Sequence, residues 1–181
     1  NECGISSKSD YNGASQDGGS LMQHRIEDGV RHSTAAAYIR PVEEADTLEL
    51  VLGACARRLV FDGTRCVGVE WSRDGRTEQA RAAEVVLCGG TIGSAQLLLL
   101  SGIGPSEHLR SLGIDVVADL QGVGENLHDH LLSPVIFTAE REIGPPSPGL
   151  PACQTHLFWR SRSDLPVPDI QPIHFMVPMY E

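Results

Sequence analysis

"VVLCGGTIGSAQLLLLSGIGP", Val85 to Pro105, decides how this 181-residue chain is read. From Val85 to Ser106 there is no Asp, Glu, Lys or Arg, although 21% of the chain is charged. Such a stretch belongs out of water, in a membrane, in a packed core or along the wall of a binding site. A membrane span is a poor fit, because only Leu97 to Leu100 run apolar without a break while five glycines with Ser, Thr and Gln interrupt the rest. "EVVLC" (84–88) reads instead as a fully buried strand that enters Gly89 and Gly90, after which Ser94 caps a helix over Ala95 to Leu100. A strand, a double-glycine turn and a helix let backbone approach a ligand closely and offer unpaired N–H groups to an anion. Tight strand-to-helix packing uses the same residues, so the pattern alone leaves both uses open.

Working outward, 41% apolar residues in a chain of this length suffice for a real core. A net charge of −10 and a pI near 5.1 give no electrostatic footprint for nucleic acid or an anionic membrane surface. Five cysteines with no CxxC pair suit free thiols in a reducing compartment, and a cytoplasmic location is expected. One bridge stays open, since Cys55 and Cys66 can be drawn facing each other across a hairpin. The opening residues are polar, carry neither an initiating Met nor an apolar segment, and read as a cut rather than a native N-terminus.

Before the central stretch, the first thirty residues read as loop, around "YNGASQDGG" (11–19), with order beginning near Ser33. "STAAAYIR" (33–40) predicts a short helix capped by Ser33 and stopped at Pro41. "LELVL", "RLVFD", "CVGVEW" and "TEQARA", between 48 and 82, predict an antiparallel meander turned at "DGT" and "RDGR". Within it Val67, Val69 and Trp71 alternate with Cys66, Gly68 and Glu70, which points to one buried face.

Beyond the central stretch, Gly102 and Gly104 end its helix and Pro105 opens a second, "SEHLRSLG" (106–113). Nine of the eleven prolines lie between Pro134 and Pro178, which places a boundary near 132. "SPVIFTAE", "QTHLFWR" and "DIQPIHFMV" then alternate as strands of a second layer. His128 and His130 could suggest a metal pair on one side of a strand, but no third ligand is evident, and none is expected to bind. His24, His32, His108, His156 and His174 have no partner legible in the sequence, and His108 is expected at the surface. No G-x-S-x-G or phosphate-cradling Walker loop occurs.

The span Gly90 to Gly104 resembles the second signature of the glucose-methanol-choline (GMC) oxidoreductases. Gly90 and Thr91, Ser94, Leu97 and Leu98, and Ser101-Gly102-Ile103-Gly104 stand at that family's spacing, while Ala95 departs from the usual Pro or Ser. "DYNGASQDG", "RHSTAAAYIRP", "ARRLVFDGTRCVGVEW", "SGIGPSEHLRSLGIDVV" and "GVGENLHDH" resemble successive blocks of the same family in order, nearest to its choline dehydrogenase-like members. The likeness is nearly complete to about residue 135 and faint after it.

The resemblance implies an α/β fold: part of a Rossmann-like FAD-binding domain with an antiparallel meander over 1–132, and the start of an antiparallel-sheet substrate-binding domain over 133–181. It implies an enzyme that binds FAD and oxidises a small alcohol by hydride transfer to the flavin. It also implies cofactor contacts at Ala56, which stands where Val is usual and would act through its main chain, and at the turn Cys88-Gly89-Gly90. The family's catalytic His and its partner fall outside this chain, as does its GxGxxG unit, so the chain corresponds to roughly a third of a complete enzyme. A non-catalytic binding or scaffold module with the same fold is the competing expectation.

Overall fold

The computed structural model describes residues 4–141, 144, 149 and 151–175. Along the chain come strands β1 (Gly18–Leu21), β2 (Ile26–Glu27), β3 (Val30–Arg31), β4 (Cys55–Asp62), β5 (Arg65–Arg73) and β6 (Arg76–Arg81). Helix α1 (Gly90–Leu100), β7 (Ile103–Gly104), helix α2 (Ser106–Ser111), β8 (Ala118–Asp119), β9 (Cys153–Phe158) and β10 (Ile173–Phe175) follow. They fall into two compact units, one built from 1–48 with 133–181 and the other from 49–132. Among the described residues no helix is long and apolar enough to cross a membrane.

In the unit of 49–132 the meander forms as expected over β4, β5 and β6, antiparallel in that order. Its turns explain its register. Asp74 and Gly75 both take positive φ (51° and 75°), the mirror-image turn whose twist matches that of the strands it joins. "LELVL" adds no strand; residues 48–52 are irregular. The face carrying Val67, Val69 and Trp71 also carries Leu59, paired with Val69 and 7% exposed. The other residues of that face are only half-buried, so one-sided burial is weaker than the alternation predicts. Gly68 is required by close approach, because a Cβ there would run into the Ala80 carbonyl of β6. Cys55 lies opposite Ser72 and Cys66 opposite Phe61, far apart along the hairpin, which removes the one disulfide left open. The described cysteines, 55, 66, 88 and 153, are all free thiols.

After the meander the chain departs from expectation at "EVVLC". Residues 84–88 form no strand and pair with none among the described residues. A strand buried on both faces needs neighbours to pair with, and the described residues pair none with this segment. The helix also starts earlier than expected. Gly89 is its N-cap and Gly90 its first residue, while Ser94 sits in the second turn and reaches back, its Oγ accepting the Gly89 N–H at 3.0 Å. Burial of the uncharged stretch is confined to its end: Ser101, Gly102, Gly104 and Ser106 are buried, whereas Val86 is 75% and Ile92 73% exposed. From there β7, α2 and β8 follow, with β7 and β8 paired in parallel, and Leu109 of α2, 0% exposed, lies close to Gly104 of β7.

In the unit of 1–48 and 133–181, the loop expected over the first thirty residues contains a strand. β1 pairs with β9, and β9 with β10, giving the antiparallel order β1-β9-β10. β2 and β3 form a short hairpin around Asp28 and Gly29, both at positive φ. Ser33 does cap a short helical segment, its Oγ accepting the Ala36 N–H at 3.2 Å, but the segment is a wide turn over Ala35–Ile39 that tightens over Arg40–Val42 and so passes through Pro41. Of the later strands, "QTHLFWR" becomes β9 and the middle of "DIQPIHFMV" becomes β10. "SPVIFTAE" is irregular, and Met176 and Val177 lie outside the described residues.

Candidate functional site

The uncharged turn and the strand before it in the meander belong to one unit, and α1 packs along β4. What fixes the helix there is a single hydroxyl. Ser101, at the C-terminal cap of α1, donates from Oγ to the Leu97 carbonyl and accepts the Leu59 amide N–H at 2.8 Å. That N–H points out from the free edge of β4, so the bond closes the edge and sets the helix against the strand. Ser101 was legible only as one position of the "SGIG" block, not as a latch.

Further polar bonds hold the frame. Arg58 grips Glu70 with two bonds, Nε to Oε1 at 3.0 Å and Nη2 to Oε2 at 3.1 Å, and Gln79 Nε2 donates to Glu70 Oε2 at 2.9 Å. The three stand in one row across β4, β5 and β6. The hydrogen bonds from Arg58 and Gln79 hold the Glu70 carboxyl below its ordinary range. At the start of α2, Asp119 accepts the Ser106 N–H and Oγ–H, each at 3.0 Å, and Gln121 Nε2 at 2.6 Å, which lowers its carboxyl in the same way.

On this frame Cys88, Gly89 and Gly90 lie exposed at the open end of α1. Gly90 takes φ of 76°, a left-handed conformation that suits glycine, and a Cβ on it would meet open space. At Gly89 a Cβ would press on the Ser94 nitrogen at 3.0 Å, so glycine here serves the turn itself. The first turn holds no acidic residue, and its N–H groups beyond Gly89 have no intrahelical acceptor. Ala56 is exposed on β4 directly opposite Trp71 of β5. Small, uncharged and open backbone is what a dinucleotide needs to lie flat against protein, and these residues fit one. A groove of about 440 Å³ does not include this turn and is lined by Asp17, Phe158 and Arg160 among others.

The sequence itself matches the family model for GMC oxidoreductase over residues 1–132. The chain belongs to the GMC oxidoreductase family. It is 45% identical over 131 residues to the oxygen-dependent choline dehydrogenase of Rhizobium etli, an alignment covering 72% of this chain and 24% of that enzyme. Its fold is similar to pyridoxine 4-oxidase from Mesorbium loti, with a TM-score of 0.79 and 29% identity over 88% of this chain and 31% of that one. An FAD-dependent oxidoreductase from Chaetomium thermophilum matches with a TM-score of 0.66 and 28% identity over 71% of this chain and 23% of that one. The chain thus spans about a quarter to a third of the length of these relatives. Membership in the family bears out the α/β reading, a partial flavin-type domain with an antiparallel meander and the first strands of a further antiparallel sheet.

The histidines unplaced by sequence find neighbours. His24 Nε2 lies 2.9 Å from the Cys153 carbonyl, His32 Nδ1 lies 3.2 Å from Glu27, and His156 Nδ1 lies 3.0 Å from Gln171. His108, His128, His130 and His174 are exposed. His128 and His130 lie in irregular backbone rather than on a strand.

Proposed function

We propose that this GMC chain forms part of the cofactor-side frame of an FAD-dependent enzyme that oxidises a small alcohol to an aldehyde or ketone. The observation that carries the reading is the turn Cys88-Gly89-Gly90, bare of side-chain bulk and charge at the open N-terminus of α1, in a chain 45% identical to a choline dehydrogenase over 131 residues. A bound flavin would supply a hydride acceptor for the carbinol carbon, and the chain's residues would bind and orient it. Cys88, Gly89 and Gly90 would supply backbone against the cofactor, and Ala56 would meet its adenine side through main-chain groups. The Ser101 latch, Glu70 row and Asp119 cap keep those segments in place.

Residues 1–132 are assigned to the FAD-binding domain and 133–181 to the start of the substrate-binding domain, with β1 lent to the sheet of β9 and β10. A cytoplasmic location agrees with the free thiols of the described cysteines. The test is the visible spectrum of the full-length protein under anaerobic conditions with a panel of primary alcohols that includes choline. The reading requires bound flavin whose absorbance bleaches with at least one of them. A protein that purifies without flavin and takes none up would contradict it.

A further inference from the structure

The sheet β1-β9-β10 contains a polar pair that nothing in the flavin reading uses. His156, at the centre of β9, is 4% exposed. Tyr11 meets its ring edge-on at 4.2 Å between centroids and Phe158 at 4.8 Å, while Gln171 Nε2 lies 3.0 Å from its Nδ1. An amide nitrogen can only donate, so Nδ1 accepts and the proton of the neutral ring rests on Nε2. Nε2 is buried and has no hydrogen-bond partner among the described residues.

Directly opposite His156 on β1 stands Ser20, whose Oγ is likewise buried with no partner among the described residues. Opposed residues of an antiparallel pair point their side chains to the same face, with Cβ atoms about 5 Å apart. On the other side, the residue of β10 in register with His156 is Ile173, which offers no polar group. Two buried polar atoms on one face of the sheet, one a donor and one a hydroxyl, each need a partner, and one small oxygen bonded to both would satisfy them together.

We propose that Ser20 and His156 form a binding position for a single hydroxyl oxygen, that of a water molecule or of a small alcohol. The Nε2–H of His156 donates to this oxygen, and its own hydroxyl proton goes to Ser20 Oγ. The residues placed against the ring or in register with it, Tyr11, Ser20, Phe158, Gln171 and Ile173, carry no charge, which suits a neutral ligand. This position is independent of the flavin site and stands or falls without it.

Crystals of the full-length protein, native and soaked in 2-bromoethanol, provide the test. Density within hydrogen-bond reach of both Ser20 Oγ and His156 Nε2 is expected, as a lone oxygen if water is the ligand and with an anomalous bromine peak beside it if an alcohol is. Ser20→Ala should abolish the peak. An empty position, a direct Ser20–His156 hydrogen bond, or a peak unchanged in Ser20→Ala would overturn the proposal. Nitrogen-15 spectra of the ring give a second readout: the Nε2–H tautomer is expected, and the Nδ1–H tautomer would overturn it.

Discussion

Ser101 Oγ accepts the amide N–H of Leu59 at 2.8 Å, tying the C-terminal end of α1 to the free edge of β4. Ser101→Ala leaves that N–H buried without an acceptor and should cost about 1–3 kcal/mol of stability. Chemical unfolding of the full-length protein measures it. Ser101→Thr, which keeps the hydroxyl, should recover part of the loss.

Gly68 has no room for a side chain, because the Ala80 carbonyl of the neighbouring strand occupies the place of its Cβ. Gly68→Ala must push β5 and β6 apart or break their register, and a loss of about 1–3 kcal/mol is expected. Gly53→Ala provides no matching steric clash, since open space surrounds that Cβ position; its cost arises only from the positive φ of 69°. Thermal unfolding of the two variants side by side separates crowding from backbone strain.

Glu70 and Asp119 make stability depend on acid. Both carboxyls sit below their ordinary range in the folded protein, Glu70 chiefly through its bond from Arg58 and Asp119 chiefly through the Ser106 amide. Groups of this kind bind protons more readily when unfolded, so their contribution is complete above the unfolded carboxyl value of about 4 and fades as pH falls through the lowered folded value. Glu70→Gln should therefore flatten the acid limb of a plot of unfolding midpoint against pH and leave its slope above pH ~5 unchanged.

His156 adds a separate dependence at milder pH. Burial lowers its basicity, so the unfolded chain takes up a proton before the folded one does. Stability from the neutral ring is fully present above about pH 6.5 and declines as pH falls below it. Unfolding midpoints measured from pH 7.5 to 5 should slope downward with acid, and the slope should shrink in His156→Gln.

Legibility differed between elements for physical reasons. The meander announced itself because Asp-Gly turns and alternating strands are local signals, and Asp74-Gly75 adopts the turn its residues favour. β1 was hidden because Gly-Gly-Ser has no alternation, and its strand character comes from pairing with β9 far along the chain. "EVVLC" has the composition of a central strand, but composition cannot provide the neighbours that make it one. The start of α1 was misplaced because Gly89-Gly90 reads as a turn and Ser94 as a cap, whereas the serine caps backward from inside the helix. At the site, missing charge made Cys88 to Gly90 visible, while Ala56 has no local mark and entered only through the family resemblance.

The proposed function requires flavin to lie against the Cys88-Gly89-Gly90 turn. Cys88 is exposed, so Cys88→Trp adds a ring at the mouth of α1 without displacing a packed side chain. The decisive measurement is the FAD affinity of full-length apoprotein, wild type against Cys88→Trp, with far-ultraviolet circular dichroism to confirm that both are folded. A dissociation constant weakened by about tenfold or more, some 1.4 kcal/mol, is predicted. Equal affinity in two equally folded proteins would contradict the account.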